Sequence, residues 1–176
     1  MTGAGDSRRP GRAPGGAIGV RVAARGTRAA LAHDAVAALA ERVLRAEGAR
    51  AADVSVTFVA APEMARLNRA HLGHRGPTDV ITFALAPVPG APVTADVYVC
   101  PAVAREHARD HGVTVRDETA RLVVHAMLHV LGHEHPEDDS RVRSPMWLAQ
   151  ERYVRRFHAP TAARGVRRVR PTFTRW

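Results

Sequence analysis

Between Leu122 and Leu131 every residue is apolar except His125 and His129. A helix that is apolar all round is a buried one, so a chain with this run has to fold around it. Two histidines four positions apart share one helix face, their Cβ atoms roughly 5–6 Å apart. From there both imidazoles can reach a single metal ion at about 2.0–2.1 Å. Gly132 follows at once and supplies the left-handed residue that commonly ends a helix. The chain then turns back with two more histidines, His133 and His135, before Pro136.

The spacing distinguishes those two. Histidines at i, i+4 and i+10 with glycine at i+7 resemble the metzincin zinc-protease pattern, which selects His125, His129 and His135 as ligands. Pro136 also keeps His135 out of the helical region, as suits a ligand on a returning segment. The protease motif has a glutamate directly after its first histidine as general base, and this chain has Ala126 there. The pattern is that of a zinc-hydrolase scaffold lacking the peptidase's base. His133 reads as a substrate contact or an exposed residue. Glu137, Asp138 and Asp139 read as partners of a ligand imidazole or, more simply, as a solvated acidic turn before the last helix.

The 176 residues include 26 basic and 17 acidic side chains, a formal charge of +9, and every basic residue is arginine. Absence of lysine is a coding-composition signature rather than a functional one. The charge still attracts phosphate backbones in a salt-dependent way, and guanidinium suits phosphate geometry. Cys100 is the only cysteine, so no intramolecular disulfide can form and nothing suggests an oxidising compartment. Residues 1–16 hold arginine, glycine and proline without an apolar stretch of signal-peptide length. No apolar run is long enough to span a bilayer. These features predict a cytoplasmic protein with no membrane partner and no dinucleotide cofactor. They divide it into a disordered extension (1–16), one hydrolase-like domain (17–160) and an arginine-rich tail (161–176).

Alternation predicts strands over Ile18–Ala24, Val54–Val59, Thr78–Leu85 and Asp96–Cys100. Helices are expected from about Ala35 to Glu47 with Asp34 as cap, from Pro62 to Leu72, from Pro101 to His111, from about Val115 to Leu131 and from Pro145 to Phe157. Thr78–Cys100 reads as a hairpin with a long proline-rich loop. The order is β-α-β-α-β-β-α-α-α, an α+β domain whose four-stranded mixed sheet is covered by helices, the metal-binding helix buried.

Three stretches together resemble the YbeY family of bacterial ribosomal-RNA maturation endoribonucleases, over roughly Ile18 to Phe157. The histidine set in HAMLHVLGHEH is similar to the family's HGxLHLxGyDH. Leu67-Asn68 followed by Pro77-Thr78-Asp79-Val80 is similar to LNxxyR…PTDVLSF. Ala95-Asp96-Val97-Tyr98-Val99-Cys100-Pro101 is similar to GDIvIcp. The resemblance implies a zinc-dependent, single-strand-specific endoribonuclease. Its expected roles are maturation of the 3′ end of 16S rRNA and ribosome quality control, with an rRNA precursor and the small ribosomal subunit as partners. Departures are Ala126 for glycine, His133-Glu134 for tyrosine-aspartate, and Leu72 where the family carries an arginine implicated in its chemistry.

Three neutral histidines would leave zinc a position for water. The candidate catalytic residues are Arg75, the nearest arginine able to replace the missing cation, and Asp79. Asp79, Glu134 and zinc-bound hydroxide are all candidates for the general base. Asn68 and Thr78 either position RNA or cap local structure, and Cys100 reads as a core residue. Two rival classes stand beside the nuclease: a zinc peptidase, disfavoured by Ala126, and a non-catalytic ribosome-assembly factor with a structural metal, favoured by Leu72.

Overall fold

Four strands form one mixed sheet in the computed structural model, in the spatial order β1-β2-β4-β3. β1 (Ile18–Arg25) pairs parallel with β2 (Ala52–Val59), β2 pairs parallel with β4 (Val93–Val99), and β3 (Val80–Ala84) pairs antiparallel with β4. The structure describes residues 17–158 except 86, 87, 89 and 137. The expected disordered extension, the arginine-rich tail and Glu137 lie outside the described residues. Five α-helices complete the described domain: α1 (His33–Ala46), α2 (Ala61–Leu72), α3 (Pro101–Asp110), α4 (Val115–Val130) and α5 (Pro145–His158). A 3-10 turn at Asp139–Arg143 precedes α5. This is the α+β architecture and element order the sequence predicts.

Two parallel strand pairs need crossovers, and helices supply them. α1 links β1 to β2, turning Val36, Leu39, Ala40, Val43 and Leu44 into the core. Asp34, expected from the sequence to cap this helix, does not. The N-cap is Ala32, without a side-chain hydrogen bond, and Asp34 stands in the first turn, where its charge complements the helix dipole. α2 and the β3–β4 hairpin precede the rest of the helices. β3 begins at Val80 rather than Thr78, where Thr78 and Asp79 are held by local side-chain hydrogen bonds, and β4 runs from Val93 to Val99 rather than from Asp96 to Cys100.

The strands bury both faces unequally. Val54, Val56 and Phe58 of β2 stand beside Ala95, Val97 and Val99 of β4 and join α1, α4 and α5 in the main core. On the other face Val59, Ile81 and Cys100 pack with Met64 and Leu67 of α2. The remainder of that face is polar, with an Arg21–Asp53 ion pair and a Ser55–Asp96 hydrogen bond. Cys100 is buried, as its strand-core reading requires.

α4 is the central helix, packed on α1, α3, α5, β3 and β4. Thr114 caps it by accepting from the Asp117 N–H (3.1 Å), and Asp117 and Glu118 occupy its first turn. Ala120, Val123, Val124, Ala126, Met127 and Leu128 are fully buried. Truncating Met127 or Leu128 to alanine would cost about 2–5 kcal/mol. The helix ends as the sequence predicts. Gly132 adopts φ +84°, its N–H donates to His129 O (2.9 Å), and His133 N donates to Leu128 O (3.0 Å). This double closure is a Schellman motif, and it reverses the chain toward the histidines it has just left.

Candidate metal centre

His125 and His129 lie on one face of α4, and their Nε2 atoms are 3.0 Å apart. The reversal at Gly132 brings His135 back, its ring centroid 5.2 Å from each of the other two. One nitrogen from each of the three rings lies within 4.8 Å of one from every other. Two nitrogens bound tetrahedrally at 2.0–2.1 Å would be about 3.3 Å apart, so the spacing fits one ion. Among the described residues no other His, Cys, Asp or Glu group meets this criterion.

Each ring is held from behind. Gln150 of α5, buried, places Oε1 2.9 Å from His125 Nδ1, while its amide nitrogen donates to Glu151 (3.3 Å). The amide oxygen is therefore the acceptor, His125 carries its proton on Nδ1, and Nε2 keeps its lone pair. His135 Nδ1 donates to Pro136 O (2.9 Å), which puts its proton on Nδ1 and the lone pair on Nε2. The His129 ring bonds the His133 backbone. Burial, and then the neighbouring His125 and His135, push the His129 pKa down to about 4. An imidazole that stays neutral at physiological pH is what a metal requires.

His133 points elsewhere. Its Nε2 is 3.3 Å from Glu47 Oε2 at the end of α1, and Glu47 also accepts from Tyr153 and Arg152. It pins the returning loop to α1 and α5. Glu134 is exposed. Asp138 is fully exposed and caps Ser140, whose hydroxyl and N–H hold its carboxyl below the usual range. The solvated-turn reading of this acidic stretch therefore describes Asp138.

A cavity of about 690 Å³ opens beside the cluster, lined by His125 and His135 together with Asp79, His107, Glu118, Arg121 and Gln150. Asp79, a candidate from the sequence, is thus brought to the site. Its Oδ1 accepts from the Thr78 hydroxyl (3.0 Å) and the Val80 N–H (2.8 Å), and its Oδ2 lies 3.8 Å from His107 Nδ1. Arg75 is exposed on the α2–β3 loop and is not part of the cavity wall. Asn68 ties that loop down by donating to Gly76 O (2.9 Å), a structural contact. Leu72 is 49 % exposed at the end of α2.

Among the cavity residues, sequence reading missed Glu118, Arg121, His107 and Gln150. Glu118 and Arg121 share the α4 stripe of His125 at helical spacing, a signal that was present. Glu118, 3 % exposed, pairs with Arg121 (2.9 Å), which also bonds Glu151 of α5 (3.0 Å). His107 and Gln150 come from other helices, and no local pattern marks them.

Three convergent imidazoles, two on the central helix and one on the segment returning from it, define an α+β domain with a candidate metal site. A family model described as "Endoribonuclease YbeY" matches residues 22–158, and the chain belongs to the YbeY family. Curated relatives of that name include one from Thermotoga maritima, 35% identical over 101 residues, 57% of this chain and 65% of the relative. One from Acidothermus cellulolyticus is 38% identical over 101 residues, 51% of this chain and 62% of the relative. One from Micrococcus luteus is 39% identical over 110 residues, 58% of this chain and 69% of the relative. The matches thus span less than two thirds of the first two relatives. A solution structure from Thermotoga maritima superposes with TM-score 0.57 at 30% identity, covering 78% of this chain and 88% of that one.

Proposed function

We propose that this chain is a zinc-dependent endoribonuclease that cuts single-stranded RNA in the cytoplasm. Its proposed substrate is the 3′ end of the 16S rRNA precursor, met on or near the small ribosomal subunit, where it serves rRNA maturation and ribosome quality control. The observation that carries this reading is the convergence of His125, His129 and His135, two of which, His125 and His135, line a cavity of about 690 Å³. The relatives' name, endoribonuclease, supports the substrate class.

Three neutral imidazoles suit zinc, and three rather than four protein ligands are the mark of catalytic sites. When bound, the ion would supply an activated water and polarise a phosphoryl oxygen. The chain's own residues do the rest. Gln150 and Pro136 O orient the ligand rings. Asp79, with one oxygen held by Thr78 and Val80, serves to orient His107 rather than to take a proton from water. Arg75, four residues before Asp79 on a loop anchored by Asn68, is proposed as the clamp on a flanking phosphate.

A second reading, an assembly factor with a structural metal, is favoured by one observation. Among the described residues the cavity wall holds one arginine, Arg121, and both its neighbours are carboxylates. The test compares zinc-loaded protein, chelated protein and His129→Ala on a labelled single-stranded RNA and its duplex. Cutting of the single strand by the loaded protein alone is expected. RNA binding without cutting in any form would leave the assembly-factor reading standing.

A further inference from the structure

We infer that His107 is a further catalytic residue, the proton donor to the oxygen that leaves when the phosphodiester is cut; this rests on the ribonuclease reading above.

His107 lies on α3, far in sequence from the histidine cluster, yet it lines the same cavity as His125 and His135. Its Nδ1 sits 3.8 Å from Asp79 Oδ2 and 3.8 Å from Glu118 Oε1. Three elements meet there: the turn before β3, α3 and the first turn of α4. Glu118 is buried and fixed by Arg121, and Asp79 is fixed by Thr78 and Val80. Two anchored carboxylates on one ring nitrogen set the proton on Nδ1 and the orientation of the ring. At 3.8 Å these are electrostatic contacts rather than hydrogen bonds, as is common in a catalytic site before substrate tightens it. The opposite nitrogen, Nε2, makes no hydrogen bond among the described residues. A base with a third group orienting it is the arrangement of acid–base catalysts in general.

Other groups on the wall are less suited. His125 and His135 belong to the ligand set. Asp79 and Glu118 are engaged as described, and Arg121 does not release its proton in proteins. His107 is not one of the convergent ligand nitrogens, so it is left for proton transfer. His111, its ring 6.1 Å from that of His107, is exposed and has no carboxylate partner among the described contacts.

The oxygen of the attacking water bonds to phosphorus while the bond from phosphorus to the leaving oxygen breaks. That oxygen's electron pair takes the proton from Nε2 of the imidazolium, so it departs as a neutral hydroxyl. The ring is left neutral with its Nδ1 proton still facing the carboxylates, the water's proton passes to solvent, and His107 is reprotonated from solvent. General acid help of this kind typically contributes 10²–10⁴-fold.

The test uses full-length, zinc-loaded protein and two forms of one single-stranded RNA. One is all-oxygen, and the other carries sulfur in place of the leaving oxygen, a group that departs without a proton. His107→Gln should cut the all-oxygen RNA about a hundredfold more slowly and the sulfur form within about threefold of wild type. Zinc per chain, and affinity of the metal-free protein for the RNA, should match wild type. Equal loss on both substrates, no loss on either, or a fall in zinc content each overturn the assignment. The same sulfur rescue in His111→Gln but not in His107→Gln would move the role to His111 and overturn it too. A wild-type protein that cuts neither RNA overturns the ribonuclease reading itself, an outcome distinct from failure of His107 alone.

Discussion

Oε1 of Gln150 lies 2.9 Å from Nδ1 of His125, across 25 residues of sequence. An α5 amide thereby decides which nitrogen of an α4 histidine faces the metal site. Partners of this kind set the tautomer and ring orientation of a ligand, and removing them typically costs 10–100-fold in metal affinity. Gln150→Leu, close in volume and without an acceptor, should weaken zinc binding by about that factor in competition with a chromophoric chelator. Gln150→Glu keeps an acceptor and should bind zinc like wild type. Undiminished affinity in Gln150→Leu would show that His125 orients itself.

The histidine assignments separate by metal content. Alanine at His125, His129 or His135 should each remove most of the one zinc expected per chain. His133→Ala should keep it, since the His133 ring pairs with Glu47. Elemental analysis after gel filtration decides. An empty site in His133→Ala with a full one in His135→Ala would reverse the assignment.

Acid should destabilise the metal-free protein through His129. Its folded pKa, about 4, lies below the ordinary 6.5, so between those values the unfolded chain binds a proton that the folded one refuses. Stability from this group is fully present above pH 6.5 and is lost as pH falls toward 4. Melting temperatures of chelated protein should fall across that window more steeply than those of His129→Gln. Parallel profiles would show that His129 titrates normally when folded.

A cation near the scissile phosphate commonly carries a large share of phosphodiester cleavage. The family resemblance implies an arginine where this chain has Leu72, so on the proposed nuclease reading Arg75→Ala should lower turnover tenfold or more at fixed zinc occupancy, corresponding to about 1.4 kcal/mol. Normal turnover in Arg75→Ala together with a clear gain in Leu72→Arg would mean the site lacks its cation.

Residues 161–176 contain five of the arginines. Their removal should flatten the salt dependence of RNA binding, since each phosphate contact adds to the slope. An unchanged slope would exclude contact between this segment and RNA.

The histidine cluster was legible in sequence because it is local. Helical spacing places His125 beside His129, and a glycine three residues later forces a reversal whose length brings back His135 rather than His133. The strands were legible because one buried face makes hydrophobicity alternate. Their ends were not, since Thr78 and Asp79 turn on side-chain hydrogen bonds that alternation does not register. What surrounds the histidine cluster was decided only by tertiary structure. Gln150 reaches His125, and His107 meets Asp79 and Glu118, because α3 and α5 dock on α4. Docking depends on the volume and shape of entire faces, which no short window of sequence records. Burial works the same way: packing, not the identity of His129, drives its pKa down and keeps the imidazole ready for a metal.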